Sequence, residues 1–462
     1  MAAPLTLASV WAAKAAASAS RRLGRGGGTA VAGLVGLQLQ PNLIAQLAPQ
    51  LGRGCVIVTG TNGKTTTSRL LTEIARGSGL VPLANASGSN LLRGIAATLA
   101  QAVDATGALP DAERTLGIIE VDEATVRLVL PQLRPRVAVF TNLFRDQLDR
   151  YGEVEAVAAL WRSALTHGSP DLTLVLNADD PSVAALGEGR ERVIYFGIED
   201  PSLDRGSVEH ASDALNCTCG ARLTYDLVYF GHMGHWRCDS CGRWRPKPDV
   251  SATGVGLGDG RTLSLTLQPS GQKLAMSLGG LYNVYNAIAA AAAARALSLP
   301  SEAVNAALQA TGAAFGRQEA FEVGGKRVEL FLAKNPAGTN QVLDAIRRDP
   351  LRKTALIVLN DGIADGRDIS WVWDADFETA AQQFEQVVVS GTRAAEMALR
   401  LKYADWPEQT LTVVPDSERA LDAALAATDA GACLTVIPTY TAMLRIRDFL
   451  ARRSGRDPFW RS

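Results

Sequence analysis

Apolar positions along this chain alternate between short solid runs and longer stretches of helical spacing. Cys55–Thr59 is apolar at nearly every position, and Gly117–Asp122, Val137–Asn142 and Leu172–Asn177 repeat the pattern. Runs of that length without period-two alternation predict buried strands. Ser68–Ala75 follows the first run with helical spacing, and the alanine-rich segment Val284–Leu299 predicts a strong helix closed by Pro300. Beyond Gly316 the alternation restarts, with strands at Val328–Leu332, Ala355–Asn360, Gln386–Gly391, Leu411–Pro415 and Leu434–Pro438. The order predicts an α/β protein of parallel sheets covered by helices. A domain boundary is expected near residues 312–325, with a second, smaller Rossmann-like domain behind it. The expected partition is an N-terminal helical arm over 1–52, a central domain over 53–314 with an insertion at about 199–250, and a C-terminal domain over 315–462.

Composition narrows the function classes. At 462 residues the chain has room for two to four domains. Its 46 basic and 47 acidic residues balance, so no nucleic-acid partner is implied. No apolar run approaches the roughly 18 residues of a spanning helix. The alanine-rich first 20 residues resemble a secretion signal only in part. No positive residue precedes the apolar stretch, and Lys14, Arg21 and Arg22 lie inside it or just after it. A short surface helix followed by a hinge at Gly24–Gly28, in a cytoplasmic protein, is the expectation.

Candidate chemistry is concentrated in Gly60-Thr61-Asn62-Gly63-Lys64-Thr65-Thr66-Thr67, directly after the first predicted strand. A strand, a glycine turn and a helix N-terminus aim unpaired N–H groups and the helix dipole at one point, which makes an anion cradle. Lys64, expected to stand exposed, adds a charge for the β- and γ-phosphates, and the Thr65 hydroxyl a magnesium ligand. The competing reading is an ordinary glycine turn with a solvated lysine. Because turn, lysine and threonine stand in register behind a strand, the chain is expected to bind a nucleoside triphosphate.

One segment breaks the alternation. Between about Glu199 and Pro248, Cys217 and Cys219 are separated by eighteen residues from Cys238 and Cys241. Two close pairs, each followed by glycine (Gly220, Gly242), match the knuckles of a zinc ribbon, although the first pair is one residue shorter than usual. His232 and His235 lie between the pairs and could replace a thiolate. Four protein ligands would make this zinc structural. Cys55 and Cys433 sit in apolar strands and are expected in the core.

The glycine loop, with only two residues between its glycines, resembles the ATP loop of the Mur ligases and folylpolyglutamate synthetases. That family activates a carboxylate as an acyl phosphate, which an amine then displaces. Three further features narrow the resemblance to the amidating Mur-like subunits of lipid II isoglutaminyl synthase. These are the four-cysteine insertion, Thr141-Asn142-Leu143-Phe144-Arg145-Asp146-Gln147-Leu148-Asp149-Arg150-Tyr151-Gly152, and the pair Leu332–Gly338 and Asn360–Trp371. Only about 50 residues precede the loop, and by this resemblance the usual N-terminal Mur substrate domain is expected to be missing.

The resemblance implies a Mur-ligase-like P-loop ATPase domain with a zinc-ribbon insertion, followed by a C-terminal Rossmann-like domain. It implies Glu120 as a second magnesium ligand, Asn283 and Asn286 near the adenine, and Arg317 at the γ-phosphate. Asn85, Ser87, Gly88 and Asn90 are weaker candidates for the substrate side. Gln147 replaces the magnesium-binding histidine of other Mur ligases, and Leu332–Gly338 replaces their amino-acid-capturing stretch. Both departures suit ammonia delivered by a class I glutamine amidotransferase of the GatD type. Asp368 is then expected to orient that partner's catalytic histidine, with Asp365 and Asp374 as competitors and a loop cap as the plainer role. The implied reaction amidates the α-carboxylate of D-glutamate in the lipid II stem peptide, at the inner membrane face. Two alternatives remain: a self-sufficient amino-acid ligase, and a nucleotide-dependent scaffold gripping nucleic acid through Arg222, Arg237, Arg243, Arg245, Lys247, Trp236 and Trp244 of the ribbon.

Overall fold

The computed structural model describes residues 4–22, 29–86, 88–146, 154–166, 168–209, 212–310, 317–349 and 352–455. The run Cys55-Val56-Ile57-Val58-Thr59 forms β1, Cys55–Thr59, buried at every position. In chain order it is joined by β2 (Val81–Ala84), β3 (Thr115–Glu120), β4 (Val137–Phe140), β5 (Thr173–Asn177) and β6 (Val193–Ile198). A hairpin follows, β7 (Thr224–Phe230) with β8 (Met233–Arg237), and then β9 (Val250–Gly256), β10 (Leu263–Gln268) and β11 (Gln272–Met276). Nine of these make one sheet in the order β11-β10-β9-β6-β5-β4-β1-β3-β2, while β7 and β8 pair only with each other.

The remaining strands are β12 (Arg317–Val323), β13 (Lys326–Phe331), β14 (Thr354–Val358), β15 (Gln386–Ser390), β16 (Leu411–Val413) and β17 (Cys433–Pro438). They form a second sheet in the order β12-β13-β17-β14-β15-β16. Both sheets are mixed. The pairs β9–β10, β10–β11 and β12–β13 are antiparallel and the other ladders parallel, which corrects the expectation of wholly parallel sheets. The antiparallel strands sit at sheet edges joined by short turns, where a helical crossover is not required.

Helices cover both faces. The helix Lys64–Gly77 buries Leu70, Leu71, Ile74 and Ala75 under the nine-stranded sheet. Beside it runs Leu281–Ala296, buried from Val284 through Ala294. It begins before the predicted segment, at Leu281, because Asn283 closes its first turn by donating from Nδ2 to the Gly279 carbonyl at 2.7 Å. Small alanine side chains bring this helix close to both sheet and neighbour, so buried polar groups at its N-terminal end reach the β1 loop.

The amino-terminal segment is more extensive than one short helix. Pro4–Arg22 and Thr29–Leu39 pack on each other and on Leu92–Ala102, burying Val10, Ala13, Ala17 and Ala32 in the core. Gly33 is required there, since a Cβ would lie 1.6 Å from the Arg93 carbonyl oxygen. The Gly24–Gly28 hinge lies outside the described residues. No described helix is long and apolar enough to cross a membrane.

Candidate active site

The strand β1 ends in the glycine loop, and Gly63 (φ 89°) caps the helix that starts at Lys64. Only glycine fits there: a Cβ on Gly63 would stand 2.1 Å from Asn286 Oδ1. The loop is clamped from the side by the residues after β4. Asn62 N donates to Asn142 Oδ1 at 2.9 Å, and Asn142 Nδ2 and Thr141 Oγ1 donate to the Asn62 carbonyl at 3.0 and 2.7 Å. Thr61 Oγ1 accepts from Phe144 N at 2.9 Å and bonds the Phe144 carbonyl oxygen at 3.0 Å. Its neighbour Thr66 is buried with its hydroxyl unpartnered.

Lys64 is buried rather than exposed, which corrects the sequence expectation. Its ammonium donates to the Gly60 and Thr61 carbonyls at 2.5 and 3.2 Å and to Glu123 Oε1 at 3.0 Å. Burial opposes that charge, but Glu123, Glu120 and Asp122 surround it and raise the lysine pKa. For Glu123, burial wins over the attraction of Lys64, and the carboxyl pKa is raised. Sequence reasoning missed Glu123. The available signal was a carboxylate three residues after Glu120, held under the loop once the intervening turn closes.

Glu120 ends β3 and accepts from Thr65 Oγ1 at 2.9 Å. Asn85 holds this strand end from the side: its Oδ1 accepts from Glu120 N at 2.8 Å and its Nδ2 donates to the Glu120 carbonyl at 2.9 Å. Thr65 and Glu120 thus present adjacent hard oxygen donors beside the glycine loop, a set that fits magnesium. Ser87 and Gln147 lie outside the described residues.

The second sheet closes the site. Asn335 caps the helix Pro336–Arg347 by accepting from Gly338 N at 2.8 Å, and its Nδ2 donates to Asn62 Oδ1 of the glycine loop at 3.2 Å. Next to it, Lys334 forms an ion pair with Asp146. Between the two sheets lies a narrow cleft walled by Asn62, Gly63, Tyr282, Tyr285 and Asn286 on one side and by Phe331, Lys334 and Gly338 on the other. Asn286 donates from Nδ2 to Asn283 Oδ1 at 3.0 Å, so Asn283 stands behind the wall and Asn286 in it. Arg317 opens β12; its side chain lies outside the described residues.

Three carboxylates compete for an outward role beyond β14. Asp365 is buried and turned inward, accepting from Thr441 N at 2.7 Å. Asp374 pairs with Arg145 at 3.2 Å. Asp368 is exposed, and the backbone N–H of Ser370 donates to it at 2.8 Å, which holds its pKa below the usual carboxylate range. It caps a turn and still faces solvent.

In the insertion, the sulfur atoms of Cys217, Cys219, Cys238 and Cys241 lie within 4.8 Å of one another. Cys217 to Cys241 is 3.6 Å and Cys219 to Cys238 3.5 Å. Thiolates about 2.3 Å from a tetrahedral ion stand about 3.8 Å apart, whereas disulfide sulfurs are bonded at about 2.05 Å. The group therefore fits zinc. Backbone N–H groups of Cys241 and Ser240 converge on the Cys238 sulfur and bring its thiol down to about 6. Neither histidine joins the group: His232 faces Asp180, and His235 Nε2 lies 3.1 Å from both the Tyr229 hydroxyl and the Ile198 carbonyl oxygen.

The ribbon's basic residues are largely neutralised. Arg237 pairs with Asp226 and Asp239, Arg243 with Glu188, and Arg245 with Asp179 and Glu199. Trp236 is buried and donates to the Ala178 carbonyl at 2.9 Å, leaving Trp244 exposed. A nucleic-acid surface needs free cations and exposed rings, so this argues against the scaffold alternative. Cys55 and Cys433 are buried as expected, and burial pushes the Cys55 thiol up to about 12.

A glycine loop after a parallel strand, closed by a second α/β sheet across one cleft, fits an ATP-dependent ligase of the Mur type, and the family comparisons agree. The family profile of the Mur ligase middle domain matches residues 58–232, and that of the MurT ligase C-terminal matches residues 332–443. Solved structures agree in fold. MurF from Acinetobacter baumannii aligns with a TM-score of 0.65 at 17% identity, covering 92% of this chain and 81% of that one. MurF from Thermotoga maritima in complex with ADP aligns with a TM-score of 0.62 at 14% identity, covering 89% and 83%. Among curated relatives, the MurT subunit of the glutamine-hydrolysing lipid II isoglutaminyl synthase of Streptococcus pneumoniae strain R6 is 34% identical over 439 residues, 94% of each chain. Its counterpart in Staphylococcus aureus strain COL is 34% identical over 446 residues, 95% of this chain and 96% of that one. The chain belongs to the MurT family.

Proposed function

We propose that this chain is the ATP-dependent subunit of a lipid II isoglutaminyl synthase. It phosphorylates the α-carboxylate of D-glutamate in the stem peptide, and ammonia from a GatD-type glutamine amidotransferase converts the product to D-isoglutamine. One observation carries the reading: the loop holding Lys64 and Thr65 faces Lys334 and Asn335 of the second sheet across a single cleft, in a chain 34% identical to MurT subunits over nearly its whole length. In this reading residues 1–52 form the arm, 53–314 the central domain with the ribbon at about 199–250, and 315–462 the C-terminal domain that meets the amidotransferase. The protein works in the cytoplasm, at the inner face of the membrane.

Gly60, Thr61, Asn62, Gly63, Lys64, Thr65 and Thr66 cradle the triphosphate, with Asn283 and Asn286 toward the adenine and Arg317 toward the γ-phosphate. Thr65 and Glu120 would hold magnesium, which when bound screens the triphosphate charge. Cys217, Cys219, Cys238 and Cys241 would hold a structural zinc. A carboxylate oxygen of the substrate attacks the γ-phosphorus, the bond to the β-phosphate oxygen breaks, and ADP leaves. Lys64 opposes the negative charge on the phosphoryl oxygens during transfer. The lone pair of ammonia then attacks the acyl carbon, phosphate leaves with the C–O electron pair, and a proton is lost to give the amide.

Asp368 tests the paired-subunit part of this reading, because it alone of the three carboxylates is exposed without an arginine or threonine partner among the described contacts. Asp368→Asn is expected to impair glutamine hydrolysis on the partner chain, by up to about ten-thousand-fold where histidine orientation is stringent. ATP binding should survive, and excess ammonium should restore amidation, read as a one-mass-unit loss in the muropeptide. Normal glutaminase activity in the mutant complex, or failure of ammonium to rescue, would place Asp368 outside the partner's site.

A further inference from the structure

The helices Pro4–Arg22 and Thr29–Leu39 carry a surface that the ligase reading does not use. Twelve large apolar side chains are exposed among the described residues, and five of them, Leu5, Trp11, Val31, Leu34 and Leu39, lie on this helical pair at 46–54% exposure. On Pro4–Arg22 the outward stripe is Leu5, Ala8, Trp11, Ala15 and Ala19, at the three-to-four-residue spacing of one helix face, with Arg21 and Arg22 exposed at its end. On Thr29–Leu39 it is Ala30, Val31, Leu34 and Gln38. No other described element holds as many of these exposed side chains.

Charge separates this surface from an ordinary protein interface. The chain as a whole is balanced, yet it contains no acidic residue before Glu73, while Lys14, Arg21, Arg22 and Arg25 fall in the arm. Lys14 is spent internally, donating to the Gln101 and Val103 carbonyls at 3.1 and 2.7 Å. The arginines at positions 21 and 22 are exposed. In the adjoining loop that Trp11 reaches at Ala105, Asp104 is occupied by Thr106 and by the N–H of Ala108. Trp11 has its indole N–H satisfied by the Ala105 carbonyl at 2.9 Å while its ring stays half exposed, the amphipathic disposition suited to a water–lipid boundary.

We propose that this helical pair docks on the surface of an anionic lipid bilayer, with Val31 and Leu34 entering the headgroup layer and Arg21 and Arg22 meeting acidic headgroups. The inference rests on the proposed lipid-linked substrate, because a ligase that lies on the membrane meets such a substrate without waiting for it to leave the bilayer. Shallow apolar insertion and basic contacts each bind weakly alone and reinforce one another.

The test is co-sedimentation of the full chain with vesicles of phosphatidylcholine containing about one-third phosphatidylglycerol, against phosphatidylcholine alone. Binding to the anionic vesicles that weakens with added salt is expected. The double variant Val31→Glu, Leu34→Glu should bind at least about tenfold less while melting as the parent does. With excess ammonium, its amidation of a water-soluble muropeptide should be unchanged and its amidation of lipid II in vesicles slowed. Equal pelleting of parent and variant, or no pelleting of either, overturns the proposal. A concentration-dependent dimer abolished by the same double variant also overturns it, by assigning the face to a second copy. Failure of the parent to amidate the soluble muropeptide would instead strike the ligase reading and leave vesicle binding to stand on its own.

Discussion

Lys64 and Glu123 form one buried pair that bears on stability and on the proposed phosphate site alike. Both side chains are buried, and their mutual contact at 3.0 Å offsets the desolvation each suffers. Removing Lys64 therefore does two things: it takes away the cation proposed for the phosphates and leaves Glu123 buried with a raised pKa. Lys64→Ala is expected to abolish ATP turnover and to cost about 3–5 kcal/mol of stability by urea denaturation. The double variant Lys64→Ala, Glu123→Gln should recover about 1–3 kcal/mol of that loss while remaining inactive. Additive losses would show that the two groups are not coupled. Glu120 differs, because Asn85 grips its backbone and its carboxylate meets a hydroxyl rather than an ammonium. Glu120→Ala should cut ATP turnover with little change in melting, and raised magnesium should restore part of it if the carboxylate serves to recruit the ion.

At the scale of elements, the ribbon depends on its cysteines more than on its apolar contacts. Its hairpin anchors Tyr229, Phe230 and Met233 in the main core, but around the knuckles only Cys217, Leu223, Trp236 and Cys238 are buried together, against Ala184, too few side chains to order those turns. Four converging sulfurs supply what this core lacks. Purified protein is expected to carry about one zinc per chain by atomic emission. Cys238→Ser should release it and lower the melting temperature, while the glycine loop keeps its ATP affinity because β1 and its helix are braced by Thr141 and Asn142 rather than by the ribbon. Metal-free protein with unchanged melting would defeat the assignment. The cysteine spacing was legible in the sequence because ligands on two tight turns stay close in chain order. The pairing of Arg243 and Arg245 with acids was not, since Glu188 and Asp179 lie 55 and 66 residues from their partners.

Across the whole molecule, the two sheets are joined by a buried charge cluster as well as by the cleft. Arg261, in the turn between β9 and β10, donates from Nε to Glu329 Oε1 of β13 at 2.8 Å and pairs with Asp349 at 2.7 Å. Arg352, fully buried, pairs with Glu329 as well. Burial alone would raise the Glu329 pKa, but the charge of Arg352 and hydrogen bonds from Arg352, Arg261 and Arg327 win and hold it at about 2. A carboxylate depressed in the folded state stabilises fully above its unfolded pKa and loses that contribution as pH falls toward the folded value. From 4.5 to about 2 the difference corresponds to roughly 3 kcal/mol. Melting followed from pH 7 downward should decline below about pH 4.5, and Glu329→Gln should flatten that decline while lowering stability at pH 7. An unchanged pH profile in the variant would remove Glu329 from the account.

The sequence by itself determined what neighbouring residues can settle together: the turn from β1 into its helix, forced by Gly60 and Gly63; the solid strands of both sheets; and the four cysteines on paired knuckles. These are short-range geometries, set by backbone conformation and by apolar runs that must be covered. Tertiary structure decided the rest. Asn335 reaches Asn62 across 273 positions and Lys334 reaches Asp146 across 188, contacts fixed only when two separately folded sheets meet. The burial of Lys64, the inward turn of Asp365 against the exposure of Asp368, and the outward apolar face of the first two helices belong to the same class. Which side of an element faces a partner, water or core depends on what packs against it, and a pattern along one segment carries no record of its neighbour's position.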